Sequence, residues 1–185
     1  FGAYYGGSSK RSMKNLDLTN KRKNAWGTGL IFNHAIDSIQ NVTVAAGFTR
    51  EISENANNTS YYRNAYGLGL AYNFVHTTYG VDLERQVTKN QGDKRTKNEV
   101  RAVVRQGLNE DWNVYAMYAY KTDKQFGDTD RTRQFMVGTE YYVYNQGSLK
   151  VKPFLEWQAT RTKYENSAVD RSRDFKTVIG LRAYW

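Results

Sequence analysis

Residues 175–185 read FKTVIGLRAYW, and their side-chain pattern is the clearest indication of the fold. A β-strand sends successive side chains to opposite faces. One face of this strand would be apolar with aromatics at both ends, and it carries Phe175, Thr177, Ile179, Leu181, Ala183 and Trp185. The other face is charged, and it carries Lys176, Val178, Gly180, Arg182 and Tyr184. A strand that crosses a bilayer has this pattern, because lipid contacts every second side chain and aromatic rings lie at the two headgroup levels.

The composition agrees with this class of strand. The 185 residues predict a single domain, residues 1–185, rich in Tyr (15) and Gly (15) with one Pro. The mean hydropathy is −0.78, and no apolar run approaches the roughly 18–20 residues of a transmembrane helix. A barrel places its apolar residues at every second position, so this value does not exclude a membrane protein. The sequence has no cysteine, which excludes a disulfide framework and a thiolate metal site.

Alternation with a period of two residues recurs along the whole chain, and no long segment has a helical period. The predicted strands are 1–9, 24–35, 41–52, 61–74, 78–88, 98–109, 112–122, 132–144, 149–161 and 173–185. An even number of sequential strands is typical of an outer-membrane barrel. The sequence therefore predicts an all-β fold, a closed antiparallel up-and-down transmembrane β-barrel of about ten strands, within a range of about eight to twelve.

The predicted connections alternate between two lengths. Residues 36–40, 75–77, 109–111 and 145–148 are short and contain the Asn, Asp and Gly of tight hairpins. Residues 9–23, 52–60, 89–97, 122–131 and 161–172 are predicted to be long. Short periplasmic turns and longer extracellular loops are the outer-membrane pattern. The prediction is an outer-membrane location in a Gram-negative cell, with both termini periplasmic and the protein in its processed form.

Alternation alone also fits a soluble barrel or sandwich, because either one has an apolar face. Two details of the sequence favour an apolar face that points outward. Aromatic pairs lie near the ends of the apolar face, as in Trp112 and Tyr120, Tyr66 and Phe74, and Phe135 and Tyr141. The opposite face is charged or very small, as in Gly27, Gly29, Gly67, Gly69 and Ala71. Small residues suit a narrow lumen in which side chains converge.

With the apolar face toward lipid, the inward face carries charge of both signs. The predicted lumen bases are Arg101, Arg105, Lys152, Lys176 and Arg182. The predicted lumen acids are Asp82, Glu84, Glu99, Glu140 and Glu156. One interpretation is an aqueous channel with a basic ladder opposite an acidic wall. The other is a salt-bridged plug, because a barrel of eight strands is only wide enough for its own side chains. Both stay open, and Arg101 and Arg105 are predicted to pair with Asp82 and Glu84.

The net charge of +9 is concentrated in two connections. Residues 9–24 carry six bases against one acid, and residues 86–98 carry four against one. These predicted extracellular basic residues are Lys10, Arg11, Lys14, Lys21, Arg22, Lys23, Lys89, Lys94, Arg95 and Lys97. They could bind lipopolysaccharide phosphates or steer acidic oligosaccharides toward a pore. Nucleic acid is not predicted as a partner, because no aromatic stacking platform lies between the bases.

Catalysis is not predicted. The two histidines, His34 and His76, lie beside predicted short turns, and Ser38 is the serine nearest to one of them. A nucleophile requires a base within hydrogen-bond reach, and polar residues are common at such turns. Two isolated histidines without clustered acids do not predict a metal site. We expect no cofactor.

The overall pattern resembles the small monomeric outer-membrane porins of the oligogalacturonate-specific family. The likeness is closest in residues 170–185, DRSRDFKTVIGLRAYW, where a basic loop enters a strand with a glycine and an aromatic end. A final aromatic also resembles the C-terminal signature of Gram-negative outer-membrane barrels, although Trp185 replaces the commoner Phe. Family members usually have twelve strands, against the ten counted here. The resemblance implies a monomeric porin for passive uptake of acidic sugar oligomers, with the five lumen bases as solute contacts. The alternative is a non-conducting structural or adhesion barrel whose basic loops bind lipopolysaccharide or a host surface.

Overall fold

The fold is all-β in the computed structural model, which describes residues 2–7, 21–54, 60–90, 92–146, 149–166 and 170–184. The strands are β1 (Gly2–Gly7), β2 (Lys21–Ala35), β3 (Gln40–Glu54), β4 (Ser60–Phe74), β5 (Thr77–Asn90), β6 (Asp93–Gly107), β7 (Trp112–Gln125), β8 (Asp128–Tyr141), β9 (Tyr144–Gln146), β10 (Leu149–Lys163) and β11 (Arg171–Tyr184). Within these ranges, no helix is long and apolar enough to cross a membrane.

The strands form one antiparallel sheet in which chain neighbours are sheet neighbours. The order is β1-β2-β3-β4-β5-β6-β7-β8-β10-β11, and the short β9 pairs with β10 beside this path. The prediction of an all-β, antiparallel, up-and-down arrangement is confirmed. In the described part of the chain, the end strands β1 and β11 are not paired with each other.

Two of the five predicted long connections are tight turns. Residues 89–97 and 122–131 were predicted to be loops, but β5 continues to Asn90 and β6 begins at Asp93. Likewise β7 continues to Gln125, and Phe126 and Gly127 turn the chain with φ of 53° and 95°. The prediction failed because the apolar alternation ends before the backbone pairing does. Three predicted short connections, residues 36–40, 75–77 and 109–111, lie together at one edge of the sheet, which we name the turn edge. The other edge is named the opposite edge. In the fourth predicted short connection, residues 145 and 146 belong to β9, and residues 147 and 148 lie outside the described residues.

The two faces of the sheet differ in chemistry. The apolar face is exposed on β2, β4, β10 and β11, with Leu30 at 55%, Leu70 at 49% and Ile179 at 80%. The other face, which we name the charged face, contains Ala119 at 0%, Glu140 at 3% and Lys152 at 5% exposure. A flat single sheet would leave both faces accessible. The burial of these side chains without a second layer is consistent with a barrel-like sheet that curves around the charged face.

A candidate functional site on the charged face

The strand register places all ten predicted lumen residues on the charged face. For example, Asp82 on β5 is opposite Arg101 on β6, and Lys152 on β10 is opposite Arg182 on β11. The ion pairs that these ten residues form fall into two groups at different heights. One, near the turn edge, surrounds Glu140; the other, nearer mid-strand, surrounds Glu99.

Glu140 on β8 is the centre of the first group. Its carboxylate accepts hydrogen bonds from Arg105 on β6 and from Arg182 on β11 (3.1 Å), and Lys152 on β10 lies 2.9 Å away. Arg182 also donates to Glu156 at 2.9 Å. Three bases and two acids leave the group, which we name the Glu140 cluster, with a formal charge of +1. A buried carboxylate requires positively charged partners of this kind, because removing a charge from water costs roughly several kcal/mol.

Two glycines provide the space in which the Glu140 cluster forms. Tyr115 on β7 lies across Gly138 on β8, and its hydroxyl donates to Glu156 on β10 at 2.6 Å. A Cβ at Gly138 would lie 2.5 Å from two ring atoms of Tyr115, so only glycine admits the ring there. Phe154 lies across Gly180 in the same way, and the Arg182 guanidinium stacks 4.1 Å from its ring centroid. Neither crossing ring was predicted from the sequence, although the glycines within these strands could have indicated space for a ring from the neighbouring strand.

The second group lies farther from the turn edge. Glu99 accepts a hydrogen bond from Arg101 at 2.7 Å and lies 3.2 Å from Lys121, while Asp82 is 3.9 Å from Arg101. The predicted pairing of Arg101 with Asp82 is therefore present, but Glu99 is the closer partner.

The predicted pairing of Arg105 with Asp82 and Glu84 is wrong. The β5 residue opposite Arg105 is Thr78, four positions from Asp82, and Arg105 reaches across β7 to Glu140 instead. Glu84 and Lys176 form no ion pair within the described residues, and both are exposed.

The remainder of the charged face, on β2 to β4, carries mainly small side chains, with one ion pair between Arg63 and Glu51 (3.7 Å) toward the opposite edge. One row across these strands consists of Gly29, Gly47 and Gly67, which are opposite one another. This surface borders a cavity of about 920 Å³ that also reaches Asp82, Glu84 and Arg101. The charged face is therefore divided into a crowded half on β6 to β11, which holds most of its ion pairs, and a more open half on β2 to β5.

The predicted extracellular basic residues lie partly on strands. Lys89, Lys94, Arg95 and Lys97 belong to β5 and β6, and Lys21, Arg22 and Lys23 belong to β2, because these strands extend past the apolar segment. Lys10, Arg11 and Lys14 lie outside the described residues. Arg95 donates two hydrogen bonds to Asp123, at 2.8 and 2.5 Å, and these hold the pKa of the Asp123 carboxyl below its ordinary value. Lys97 lies 3.6 Å from the same carboxylate.

The histidines are not assembled with a nucleophile. His34 lies on the apolar face of β2 with its ring stacked 6.3 Å from that of Phe32, and His76 lies in the turn between β4 and β5. In the part of the chain that the structure describes, neither histidine hydrogen bonds to Ser38, and no group of three or more metal-ligating side chains is present.

Comparison of the sequence with protein-family models and with curated proteins finds no match. The resemblance to oligogalacturonate-specific porins stays a prediction from the residues quoted for it.

Proposed function

We propose that this chain is a closed transmembrane β-barrel of a Gram-negative outer membrane. The observation that carries the proposal is the exposure of the apolar face while two charged side chains, Glu140 and Lys152, are buried on the opposite face. Ile179 is 80% exposed, whereas Glu140 is 3% exposed. A soluble barrel would bury its apolar face, so this arrangement suits a molecule whose surroundings are lipid.

The aromatic residues of the apolar face support the same location. Near the opposite edge, Phe48 lies 5.1 Å from both Trp26 and Tyr66, measured between ring centroids. Trp112 and Tyr141 are opposite each other near the turn edge. Aromatic rings at both ends of the apolar band match the two girdles of outer-membrane barrels.

Within this barrel, the proposed function is passive diffusion of small anionic solutes, such as acidic oligosaccharides. The open half of the charged face offers a path beside the crowded half, and its small residues leave room for a solute. The Glu140 cluster has an excess of one positive charge near the turn edge. A ring of side chains with excess positive charge favours anions in a narrow pore. In this proposal the protein acts as a monomer without a cofactor, in contact with outer-membrane lipid and lipopolysaccharide.

Planar-bilayer recording tests this function. Purified protein that shows heat-modifiable migration on a gel is expected to give discrete single-channel conductance. Reversal potentials in a KCl gradient are expected to show anion preference that increases as salt is lowered, because charge is screened over about 8–10 Å at physiological salt. Cation selectivity at low salt would overturn the anionic-solute proposal and would assign permeation to the acids of the charged face.

The second candidate is a sealed structural or adhesion barrel that binds lipopolysaccharide or a host surface. The burial of Glu140 and Lys152 favours it, because such pairs also occur in barrels filled by their own side chains. Repeated absence of conductance from folded, inserted protein would select this candidate over the channel.

A further inference from the structure

Six basic side chains share the apolar face of the sheet near the opposite edge. Arg161 on β10 is opposite Arg133 on β8 and Arg173 on β11. Two residues farther along, Lys163 is opposite Arg131 and Arg171. We name these six residues the basic patch. All six are exposed, and their register forms two rows of three across adjacent strands.

The basic patch lacks compensating acids. None of its six residues forms an ion pair in the ranges that the structure describes. Asp130 and Asp174 alternate to the charged face of the sheet, and the Glu165 carboxylate accepts a hydrogen bond from the Thr129 amide. Like charges directly opposite each other in a sheet are destabilising. An anion bound across the rows would relieve this repulsion.

An aromatic cluster lies beside the basic patch, toward the turn edge. The Trp157 ring is 6.5 Å from Phe135 and 6.1 Å from Phe175, measured between centroids. Phe135 and Phe175 each lie two residues along their strands from Arg133 and Arg173, and so on the same face. Leu155 and Ile179 continue the apolar surface farther toward the turn edge. A ligand that fits this surface has anionic groups at one end and hydrocarbon at the other.

We infer that the basic patch binds the phosphates of a multiply acylated glycolipid of the lipid A class, whose acyl chains pack on the aromatic cluster and the aliphatic surface beyond it. The inference deepens the proposed function, since it rests on the barrel being embedded in an outer membrane. Arginine matches phosphate well because its planar guanidinium donates two parallel hydrogen bonds, and five of the six residues are arginines. The patch lies at the edge that the proposed orientation places outside the cell, where this lipid forms the outer leaflet.

The test compares two triple variants with equal loss of charge. R133Q/R161Q/R173Q removes one row of the basic patch. R85Q/K89Q/K94Q removes three exposed bases from the same face on β5 and β6, which β7 separates from the patch. Both are purified in detergent, checked for heat-modifiable migration, and titrated by isothermal calorimetry. The probes are bis-phosphorylated lipid A, the same lipid without phosphates, and inorganic phosphate.

Wild-type protein is expected to bind bis-phosphorylated lipid A at least about tenfold more tightly than the dephosphorylated lipid, since each lost charge-assisted contact is worth roughly a factor of ten. The R133Q/R161Q/R173Q variant should lose that preference, and the control should change affinity by less than about threefold. Equal weakening in both variants would overturn the site in favour of diffuse attraction to a basic surface. Saturation by inorganic phosphate with similar affinity would overturn the assignment to a lipid.

The outcomes for lipid binding and for conductance are separable. The basic patch lies on the face away from the proposed lumen, so R133Q/R161Q/R173Q should keep wild-type conductance. A silent barrel that binds lipid A through these arginines would refute the channel and leave the lipid site standing. A conducting barrel that does not distinguish the two lipids would refute the lipid site alone.

Discussion

Gly138→Ala should be one of the most damaging single-methyl changes on the charged face. The new Cβ would lie 2.5 Å from two ring atoms of Tyr115, whereas ordinary carbon contacts are about 3.5–4.0 Å. The ring must therefore move by about 1 Å or more. That movement disturbs the 2.6 Å hydrogen bond from the Tyr115 hydroxyl to Glu156, which also holds Arg182.

The expected loss in the free energy of unfolding follows from two effects of the displaced ring. Overpacking in a filled interior costs about 1–3 kcal/mol, and a hydrogen bond to a charged group contributes about 1.5–3 kcal/mol. Moving the ring relieves part of the clash while it weakens the hydrogen bond, so the two effects are not fully additive. We expect the free energy of unfolding to fall by roughly 2–4 kcal/mol.

Gly67→Ala is the matched control. Gly67 also lies within a strand on the charged face, but a Cβ there would meet no atom within 4 Å. The alanine should be neutral or stabilising by up to about 1 kcal/mol, because it reduces the freedom of the unfolded chain. The assay is urea unfolding of detergent-folded protein, followed by tryptophan fluorescence. The background Tyr115→Ala should abolish most of the Gly138→Ala effect, since residues in contact show coupling of about 0.5–3 kcal/mol. If the two glycine variants differ by less than about 0.5 kcal/mol, or if the Tyr115→Ala background changes nothing, the reasoning is wrong.

Two further predictions concern charge. The double variant Arg105→Gln with Arg182→Gln reverses the excess charge of the Glu140 cluster and should shift reversal potentials toward cation selectivity. The control, Arg131→Gln with Arg133→Gln, removes as much charge from the apolar face and should leave the reversal potentials unchanged. Equal shifts in the two variants would contradict a selective role for the cluster. Because Arg95 lowers the pKa of Asp123, this carboxylate stabilises the fold above its unfolded pKa of about 3.9, and the contribution is lost as pH falls through the lower folded pKa. Asp123→Asn should flatten the acid side of the stability profile by less than about 1 kcal/mol, since Arg95 is 45% exposed; an unchanged acid limb would show that the pair is not coupled to folding.

Strand identity and the face of each side chain could be predicted from local pattern. Alternation in residues 175–185 assigns Lys176 and Arg182 to one face and Ile179 to the other, and the register agrees. The ends of the strands were harder to predict from the sequence. At Gly92 and at Phe126–Gly127, the chain turns beyond the apolar segment, where polar strands are held by backbone pairing and by contacts such as Arg95 with Asp123. The basic residues in 89–97 were therefore predicted to lie in a loop.

The partners of the charged residues could not be predicted from the sequence. Arg105 reaches Glu140, two strands away in the sheet, rather than the acids of its neighbour β5. This pairing depends on the register of β6, β7 and β8 together. It also depends on side-chain reach across strands, which alternation along one strand does not contain.

An antiparallel sheet with one apolar and one charged face could be predicted from local pattern, because side-chain direction in a strand alternates with a period of two. The folded arrangement of the strands was needed to establish which charges meet, where the charged face is open, and that the bases of β8, β10 and β11 form one patch. These properties arise between strands, and not within one strand. The stagger between strands sets which residues are opposite each other. Because Gly138 and Gly180 have no Cβ, an aromatic ring from the neighbouring strand can lie across each of them.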